Sequence, residues 1–196
     1  MHIGTEGEKE IQRQQGTSKR ASKFYNSQMK NELSAKMKAL IERQEMFFIA
    51  TADAQGNCDC SPRFGQQGFI KILDNTTLAY PEYLGNGVFA SLGNILENPH
   101  IGIVFVDFFD STVGLHVNGS ANSYKDFEIP KMYQEQISGF SKEIQVPIEQ
   151  WVLVSIDEAY IHCSKHVPKL EKKDKTIHWG TDSKKEKAVD FFETAE

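Results

Sequence analysis

The amino-acid sequence predicts a mainly β fold, a closed antiparallel barrel with flanking helices. Six or seven short apolar or alternating segments are separated by turn signals, a spacing typical of barrels. The predicted helices fall between these strands too irregularly for a parallel, doubly wound sheet. No Gly-x-Gly-x-x-Gly motif follows a strand, so a Rossmann dinucleotide-binding unit is not predicted either.

Length and composition indicate one soluble globular domain. The chain has 196 residues, of which 39% are hydrophobic and 25% are charged, as in ordinary globular proteins. Its formal net charge of -5 argues against a nucleic-acid-binding protein, which usually carries a basic face. No apolar run approaches the roughly 20 residues that span a bilayer, and the polar N-terminus MHIGTEGEKEIQRQQ lacks the apolar core of a secretory signal. Three cysteines, an odd number, argue against a disulfide framework, so we expect a cytoplasmic protein.

Three regions are predicted along the chain. Residues 1–26 are polar and mixed in charge, and they are predicted to form an irregular N-terminal arm. Residues 27–180 are predicted to form the barrel domain, and residues 181–196 a short charged C-terminal helix. The barrel domain begins with an amphipathic helix over residues 28–44, because apolar side chains recur there at helical spacing.

The middle of the chain has β character and is interrupted by helical segments. Most of the 13 phenylalanines fall between Phe47 and Phe140, which predicts an aromatic core in this region. Turn residues such as Gln-Gly-Asn and Asp-Asn separate the segments. The predicted strands cover residues 46–53, 57–64, 68–74, 76–81, 101–109, 112–122 and 150–163, and the predicted helices cover residues 87–97 and 124–140, the latter interrupted by Pro130.

The stretch from residue 68 to residue 98 has the pattern of an anion-binding element. It is predicted to run as strand, tight turn, strand, Gly-Asn-Gly and then a helix. Free N–H groups at a helix N-terminus favour an anion, and glycine lets a ligand approach the backbone closely. Asn86 and Gly87 directly precede the helix, and Ser91 adds a hydroxyl one turn further on. The same pattern also fits an ordinary loop before a helix.

Two cations accompany this stretch. Lys71 lies in the otherwise apolar segment 68–74, and Arg63 lies just upstream. A point charge and a planar guanidinium both suit a phosphate. The alternative for Lys71 is a position facing solvent on the polar side of its strand. The combination of a cation with a helix N-terminus predicts a nucleotide cofactor without identifying it.

The end of the last predicted strand carries a polar cluster, HCSKH, from His162 to His166. Cysteine and histidine are metal-ligand types, but the only other cysteines, Cys58 and Cys60, share one face of a strand, where core packing is the simpler explanation. We therefore predict no metal site and interpret the cluster as polar side chains that reach a ligand or a partner subunit. Trp179 follows a basic loop and is either an apolar anchor for the tail or a ring near a flat cofactor.

The stretch from Met46 to Ala121 resembles the pyridoxamine 5'-phosphate oxidase-like flavoproteins, the FMN-binding split barrels. The matching segments are FFIATAD, SPRFGQQGFIKILD, TLAYPEYLGNGVFASLGNILENPHIGIVFVDF and GLHVNGSA. The tail segment AYIHCSKHVPKL is similar to the family's C-terminal strand and following loop, so the resemblance covers roughly residues 20–180. It implies a six-stranded antiparallel split barrel, usually a homodimer with two FMN sites at the subunit interface.

The resemblance also implies which residues contact FMN. Lys71 stands where the oxidase has a lysine that binds the FMN phosphate. Tyr80 and Pro81 stand where a Tyr-Thr pair lies next to the flavin. Asn86 and Gly87 replace an Arg-Lys pair of phosphate ligands.

The uncharged Asn86-Gly87 pair leaves a charge to be supplied from elsewhere. Arg63 is expected to supply it from the neighbouring strand, while Asn86 donates a hydrogen bond and Ser91 adds its hydroxyl. The substrate side, formed partly by the second subunit, is expected to be lined by His116, His162, Lys165 and Trp179.

The chain departs from the true oxidase at two places. Gly114 stands where the oxidase has a glutamine, and the Arg-x-His motif that holds the vitamin substrate does not occur. We therefore expect an FMN-dependent oxidoreductase from an FMN-binding branch of the family other than the true oxidase, acting on a small molecule that the sequence does not identify. The alternatives are a true pyridoxamine 5'-phosphate oxidase, a non-enzymatic flavin store or sensor, and a haem-handling relative of the same barrel. A deazaflavin in place of FMN also remains open.

Overall fold

The computed structural model describes residues 4–144 and 146–177. In chain order the helices and strands are α1 (Glu6–Gln14), α2 (Ser18–Ser27), α3 (Ala35–Glu42), β1 (Met46–Ala52), β2 (Cys58–Phe64), β3 (Lys71–Ile72), β4 (Thr77–Tyr83), α4 (Ala90–Glu97), β5 (His100–Val106), β6 (Gly114–Tyr124), α5 (Lys131–Ile144) and β7 (Ile148–His162). Short 3-10 turns follow β6 and β7, at Asp126–Glu128 and Ser164–His166. The helix predicted over residues 181–196 lies outside the described residues.

One antiparallel sheet contains the seven strands, in the order β2-β1-β5-β6-β7-β4-β3. This confirms the predicted mainly β antiparallel fold, with one strand more than the resemblance implies. The predicted strand over residues 68–74 is reduced to β3, which pairs with β4 only through Lys71 and Ile72, because a turn at Gly68 (φ 80°) precedes it. From Tyr80 to Tyr83, β4 therefore has β7 on one side and no strand on the other among the described residues.

Side chains, rather than backbone hydrogen bonds, connect β2 at one end of the sheet to β4, the second strand from the other end. Arg63 on β2 forms an ion pair with Glu82 on β4, with 2.7 Å between Nη2 and Oε1, although the two strands are not paired in the sheet. The sheet therefore curls into a barrel that is split between β2 and β4, whereas the turn spacing alone predicted a closed barrel. We call this gap the split.

A proline lies on each strand that borders the split. Pro62 of β2 is opposite Phe48 of β1, and Pro81 of β4 is opposite Trp151 of β7. Proline has no N–H to donate, so a strand accepts it only where that backbone position points away from the paired neighbour. For both prolines that direction is the split, so neither position can donate to a ladder between β2 and β4.

Aromatic rings fill the interior of the barrel. The centroid of the Phe47 ring lies 5.7 Å from that of Phe69, 5.2 Å from that of Tyr80 and 5.3 Å from that of Phe105, and the four side chains are fully or almost fully buried. Tilted and edge-to-face ring pairs add roughly 0.5–1.5 kcal/mol each to the effect of burial. The predicted aromatic core is confirmed for these residues.

A second, smaller core lies on the other face of β4 and β7, beneath α5. Ala79 of β4 and Trp151 of β7 pack there with Ile137 of α5. Side chains alternate between the two faces of a strand. Tyr80 and Val152, the next residues along, accordingly belong to the barrel core.

The N-terminal segment is helical, so the prediction of an irregular arm is wrong in its secondary structure. A capping box starts α1: the Thr5 hydroxyl accepts from the Glu8 N–H at 3.1 Å, and the Glu8 carboxylate accepts from the Thr5 N–H at 2.7 Å. The helix α2 reaches the sheet, where the Phe24 ring packs edge-on against Tyr160 of β7 with 5.9 Å between centroids.

The helix predicted over residues 28–44 is shorter, because its first part pairs with β7. The Lys30 N–H donates to the Ala159 carbonyl at 2.9 Å, and the Ala159 N–H donates to the Lys30 carbonyl at 2.7 Å. The helix α3 begins only after Ser34, whose hydroxyl accepts from the Met37 N–H at 3.3 Å, an ordinary N-cap.

A β-bulge between Asn118 and Gly119 of β6 brings the backbone of β7 close. A Cβ at Gly119 would lie 2.0 Å from the Ser155 carbonyl oxygen, and no side-chain rotation relieves a clash with backbone. Gly119→Ala is therefore expected to lower the free energy of unfolding by more than about 3 kcal/mol, because the strands must move apart. Gly139→Ala in α5, where a Cβ meets nothing within 4 Å, is the matched control and should raise it by up to about 1 kcal/mol. Urea unfolding of both variants measures these changes, and equal effects would contradict the packing described.

Candidate functional site

A cleft of about 590 Å³ opens at the split. Its walls are β2, the end of β4, the loop of residues 84–89 and the first turn of α4. We call it the split cleft. Of the site residues predicted from the sequence, it brings together Arg63, Pro81, Asn86, Gly87 and Ser91.

The side chain of Arg63 reaches across the split cleft to Glu82. Its Nε and Nη2 atoms each lie 2.7 Å from Glu82 Oε1, while Nη1 donates to Ser61 Oγ at 2.6 Å and to the Pro62 carbonyl at 3.1 Å. The Arg63 and Glu82 side chains are only 17% and 13% exposed, so the ion pair is largely desolvated. Burial raises the pKa of Glu82, and the charge of Arg63 partly offsets this rise.

The register of the sheet explains why these two side chains meet. Arg63 is opposite Phe47 of β1, whose ring lies in the barrel core, and directly opposed residues of an antiparallel pair share a face. Glu82 lies two residues beyond Tyr80 on β4 and therefore also points inward. Two charged side chains at inward positions are best placed together, because an unpaired buried charge is far more costly than a paired one.

The N-terminus of α4 opens into the split cleft. Phe89 occupies its N-cap position with a left-handed backbone, φ 54° and ψ 35°, and no described side chain caps the helix. Ala90, Ser91 and Leu92 of the first turn line the cleft. The first N–H groups of a helix have no partner within the helix and carry the positive end of its dipole. An anion is the favoured ligand of such a helix end.

The loop before α4 is shaped by its own side chains. The Asn86 side-chain oxygen accepts from the Val88 N–H at 3.0 Å, a local turn typical of asparagine. Gly87 has φ 80°, a conformation that favours glycine, and no atom lies within 4 Å of the position of a Cβ. The Ser91 hydroxyl donates to Asp59 Oδ2 at 2.9 Å, so Asp59 is a second carboxylate in the cleft.

Two tyrosines next to the split keep their protons throughout the neutral range. The Tyr80 side chain is fully buried in the barrel core, and its hydroxyl has no hydrogen-bond partner among the described residues. Burial, together with the charge of Glu82, raises the pKa of Tyr80. Burial also raises the pKa of Tyr83 to about 12. Glu82 is therefore the group of this cleft whose pKa is shifted toward the neutral range.

The structure does not bring Lys71 to Arg63. Lys71 is opposite Ala79 of β4, which belongs to the core beneath α5, and its Nζ atom lies 3.6 Å from the centroid of the Phe140 ring. A cation over an aromatic face is a favourable contact of about 0.5–2 kcal/mol. Since Arg63 points into the barrel, the two cations predicted to share a phosphate lie on opposite faces of the sheet.

Other predicted site residues lie outside the split cleft. His116 of β6 and His162 of β7 lie on the outer face of the sheet, with 3.0 Å between Nε2 and Nδ1, and the His116 ring stacks on Tyr160 with 4.8 Å between centroids. Lys165 is exposed on the turn after β7. Trp179 lies outside the described residues.

The cysteines are not core residues, and the packing role predicted for Cys58 and Cys60 is wrong. Both are exposed, as is Cys163. Cys58 and Cys60 alternate with the residues of β2 that point inward, among them Arg63. Because the polar face of β2 is the inward one, its cysteines face outward.

Sequence reasoning missed the two carboxylates of the split cleft, Asp59 and Glu82. The signal for Glu82 is its position two residues after Tyr80 in an otherwise apolar strand, where a charged side chain needs a partner. The signal for Asp59 is that it shares one strand face with Arg63. Neither signal identifies the partner, since β2 and β4 are not neighbours in the sheet.

A second cleft, of about 580 Å³, lies beneath the C-terminal segment and shares Phe64 with the split cleft. The Leu170 N–H donates to the Phe108 carbonyl at 2.8 Å, and Lys172 forms an ion pair with Glu45. These contacts hold the segment after β7 over the ends of β1 and β5.

Neither a metal cluster nor a membrane-spanning helix is found in the part of the chain that the structure describes. No three His, Cys, Asp or Glu side chains there are grouped so that they could hold a metal ion. No helix within the same residues combines the length and apolar character needed to cross a bilayer.

Removing one partner of the ion pair across the split is expected to destabilise the protein. Glu82→Ala leaves Arg63 largely buried without its counter-charge, which typically costs about 3–5 kcal/mol. The double variant Arg63→Met, Glu82→Leu removes both charges at similar volume and is expected to recover most of that loss. Urea unfolding of Arg63→Met alone, Glu82→Leu alone and the double variant measures the coupling, and strictly additive losses would show that the two side chains do not interact.

The contact between His116 and His162 is expected to make stability depend on pH. Burial and the charge of His162 lower the pKa of His116 below its ordinary 6.5. The unfolded chain therefore binds a proton at this site more readily than the folded protein does, so stability is lost as the pH falls from 6.5 through the lowered value. Thermal unfolding at a series of pH values should show a smaller loss for His116→Gln than for the wild type, and parallel curves would contradict this assignment.

Comparison with known proteins agrees with this architecture. The model of the pyridoxamine 5'-phosphate oxidase family matches residues 33–163, more than half of the chain. A search of the curated proteins finds no match.

Several solved structures are similar to this chain. HupZ from Group A Streptococcus is 22% identical with a TM-score of 0.52, over 66% of this chain and 93% of that protein. HutZ, the heme storage protein from Vibrio cholerae, is 14% identical with a TM-score of 0.46, over 66% of this chain and 94% of that one. An FMN-binding protein from Syntrophomonas wolfei is 12% identical with a TM-score of 0.44, over 63% of this chain and 86% of that one. The likeness to HupZ shows the fold alone, whereas the family match extends from before α3 to the end of β7, so the chain belongs to the pyridoxamine 5'-phosphate oxidase family.

Proposed function

We propose that the chain binds FMN in the split cleft and is an FMN-dependent oxidoreductase that acts on a small molecule as a homodimer. One observation carries the proposal: Arg63 and the uncapped N-terminus of α4 lie on walls of the same cleft. A guanidinium and a helix N-terminus are both suited to a phosphate group. The cleft volume of about 590 Å³ is in the range of small-molecule sites, and membership of the family supports a flavin as the ligand.

The residues present fit the phosphate of FMN. Arg63 offers a guanidinium from β2, and the first-turn amides of α4 offer donors from another wall. Asn86 uses its side-chain oxygen within the loop, which leaves its amide group to donate. Gly87 keeps the approach to the backbone open. Bound FMN would supply the electron transfer, while the protein supplies its binding, its orientation and the surrounding charges.

Exposed apolar side chains around the split cleft suit a flat ring. Phe64, Leu84, Val88 and Phe89 are all exposed and all line the cleft, and Pro81 belongs to the same wall. Apolar side chains grouped in this way mark a binding or association surface. In the proposed homodimer, the flavin ring and the second subunit cover them.

The positions of the remaining residues restrict their proposed roles. We do not assign Lys71 and Tyr80 to the FMN of their own chain, since one lies beneath α5 and the other is fully buried. His116, His162 and Lys165 lie outside the split cleft, so a role on the substrate side requires the partner subunit to bring them to the flavin. The same role is proposed for Trp179.

The absorbance spectrum of the purified protein tests the cofactor. Flavin bands are expected, together with release of FMN on denaturation, and added FMN should bind more tightly than riboflavin, which lacks the phosphate. A Soret band after addition of haem would favour haem handling instead. A flavin-loaded dimer that shows no turnover with any reductant would favour a non-enzymatic flavin store. A colourless protein that takes up no added FMN would overturn the proposal.

One arginine variant and one lysine variant test the location of the phosphate. Arg63→Ala is expected to weaken FMN binding by about 10- to 100-fold, because a charge-assisted hydrogen bond contributes roughly 1.5–3 kcal/mol. Lys71→Ala is the matched control and should leave the affinity unchanged. Quenching of FMN fluorescence measures both, with thermal unfolding to verify that each variant is folded. A larger loss in Lys71→Ala than in Arg63→Ala would place the phosphate nearer Lys71, and equal losses would contradict a phosphate site in the split cleft alone.

A further inference from the structure

The split cleft holds more negative than positive charge. Its charged side chains are Asp59, Arg63 and Glu82, one cation and two carboxylates. Asp59 accepts from Ser91 on α4, whereas Arg63 is bound to Glu82 at 2.7 Å. A phosphate that enters this cleft therefore competes with Glu82 for the same guanidinium.

We propose that Glu82 sets the affinity of the split cleft for phosphate, and that it releases Arg63 to the phosphate as its own carboxylate takes up a proton from solvent. This inference rests on the proposed binding of FMN in this cleft. The Arg63–Glu82 ion pair is exchanged for an ion pair between Arg63 and the phosphate, one proton is gained, and no electron moves.

The geometry favours exchange over simultaneous binding. The Nε and Nη2 atoms of Arg63, which form the edge that binds an oxyanion bidentately, are both occupied by Glu82. The remaining Nη1 donates to Ser61 and to the Pro62 carbonyl. An ionised Glu82 beside a bound phosphate would place like charges together in a largely desolvated site, where repulsion is strong. A protonated Glu82 removes that repulsion and can donate to a phosphate oxygen.

Among the groups that face Glu82, neither Arg63 nor the two tyrosines changes its charge near neutral pH. Arg63 keeps its charge at every accessible pH, and Tyr80 and Tyr83 stay protonated because burial raises their pKa values. Asp59 lies on another wall of the cleft, where it accepts a hydrogen bond from the Ser91 hydroxyl at 2.9 Å. Burial already raises the pKa of Glu82 in the free cleft, and replacing its cationic partner by an anion raises the pKa further.

The variant Glu82→Gln tests the proposal, because it keeps the size of the side chain but cannot ionise. FMN is expected to bind the variant at least about tenfold more tightly than the wild type at about pH 8, since each pKa unit by which binding shifts Glu82 is worth a factor of ten. The difference should shrink as the pH falls toward the pKa of Glu82, where the wild type is itself protonated. Calorimetry in buffers of different ionisation enthalpy should show more protons taken up per FMN by the wild type than by the variant.

Two controls isolate the role of Glu82. Asp59→Asn removes the other carboxylate of the cleft but leaves the Arg63–Glu82 pair, so it should keep the pH dependence of the wild type. Riboflavin, which has no phosphate, should bind the wild type and Glu82→Gln equally. Glu82→Met is a second uncharged variant if Glu82→Gln does not fold, and thermal unfolding checks both.

Equal or weaker FMN binding by Glu82→Gln at about pH 8 would overturn the inference and make Glu82 a positioning residue for Arg63. Loss of the pH dependence in Asp59→Asn but not in Glu82→Gln would also overturn it. If no form binds FMN, the proposed function fails, and inorganic phosphate then tests Glu82 alone. In that experiment phosphate should raise the melting temperature of Glu82→Gln more than that of the wild type, and equal shifts would refute the role of Glu82.

Discussion

The ion pair between Arg63 and Glu82 joins two strands that share no backbone ladder. Four strands lie between them in the sheet order, β1, β5, β6 and β7, and continuous antiparallel pairing holds these strands together. The relative position of β2 and β4, and with it the shape of the split cleft, depends on this side-chain contact. A buried ion pair is often no more stabilising than a well-packed apolar pair. Its presence in the split cleft therefore supports the proposed phosphate site more than a purely stabilising role.

The gap in the ladder and the packing of α4 together create the site. Leu92 and Ile95 bury one face of α4 in the barrel core, and this fixes the direction of the helix. Its uncapped first turn consequently faces the split, beside Arg63. In the proposed phosphate site, backbone amides would supply many of the donors, so few charged side chains are needed.

Local signals in the sequence were sufficient for the mainly β fold class and for a helix that begins after residues 86–87, and Arg63 lines the same cleft as that helix start. Alternation, turn residues and helix stops all act over a few residues, so one sequence shows them. Local signals do not show whether Arg63 or Lys71 lies near the N-terminus of α4. That depends on which face of β2 and which face of β3 point into the barrel, and the two strands share no ladder that would fix their relative register. Lys71 and Arg63 were accordingly predicted to act together although they lie on opposite faces, and Glu82 was missed because its partner comes from a strand that is not its neighbour.

Pro62 and Pro81 also affect how the protein behaves among other molecules. An open strand edge with unused N–H and C=O groups is a template on which a foreign strand can assemble, and long regular edges promote aggregation. Each edge that borders the split lacks a donor in the middle of its strand. A peptide or a second molecule therefore cannot extend an uninterrupted ladder along either edge. The two prolines therefore disfavour β-strand addition across the entrance to the cleft.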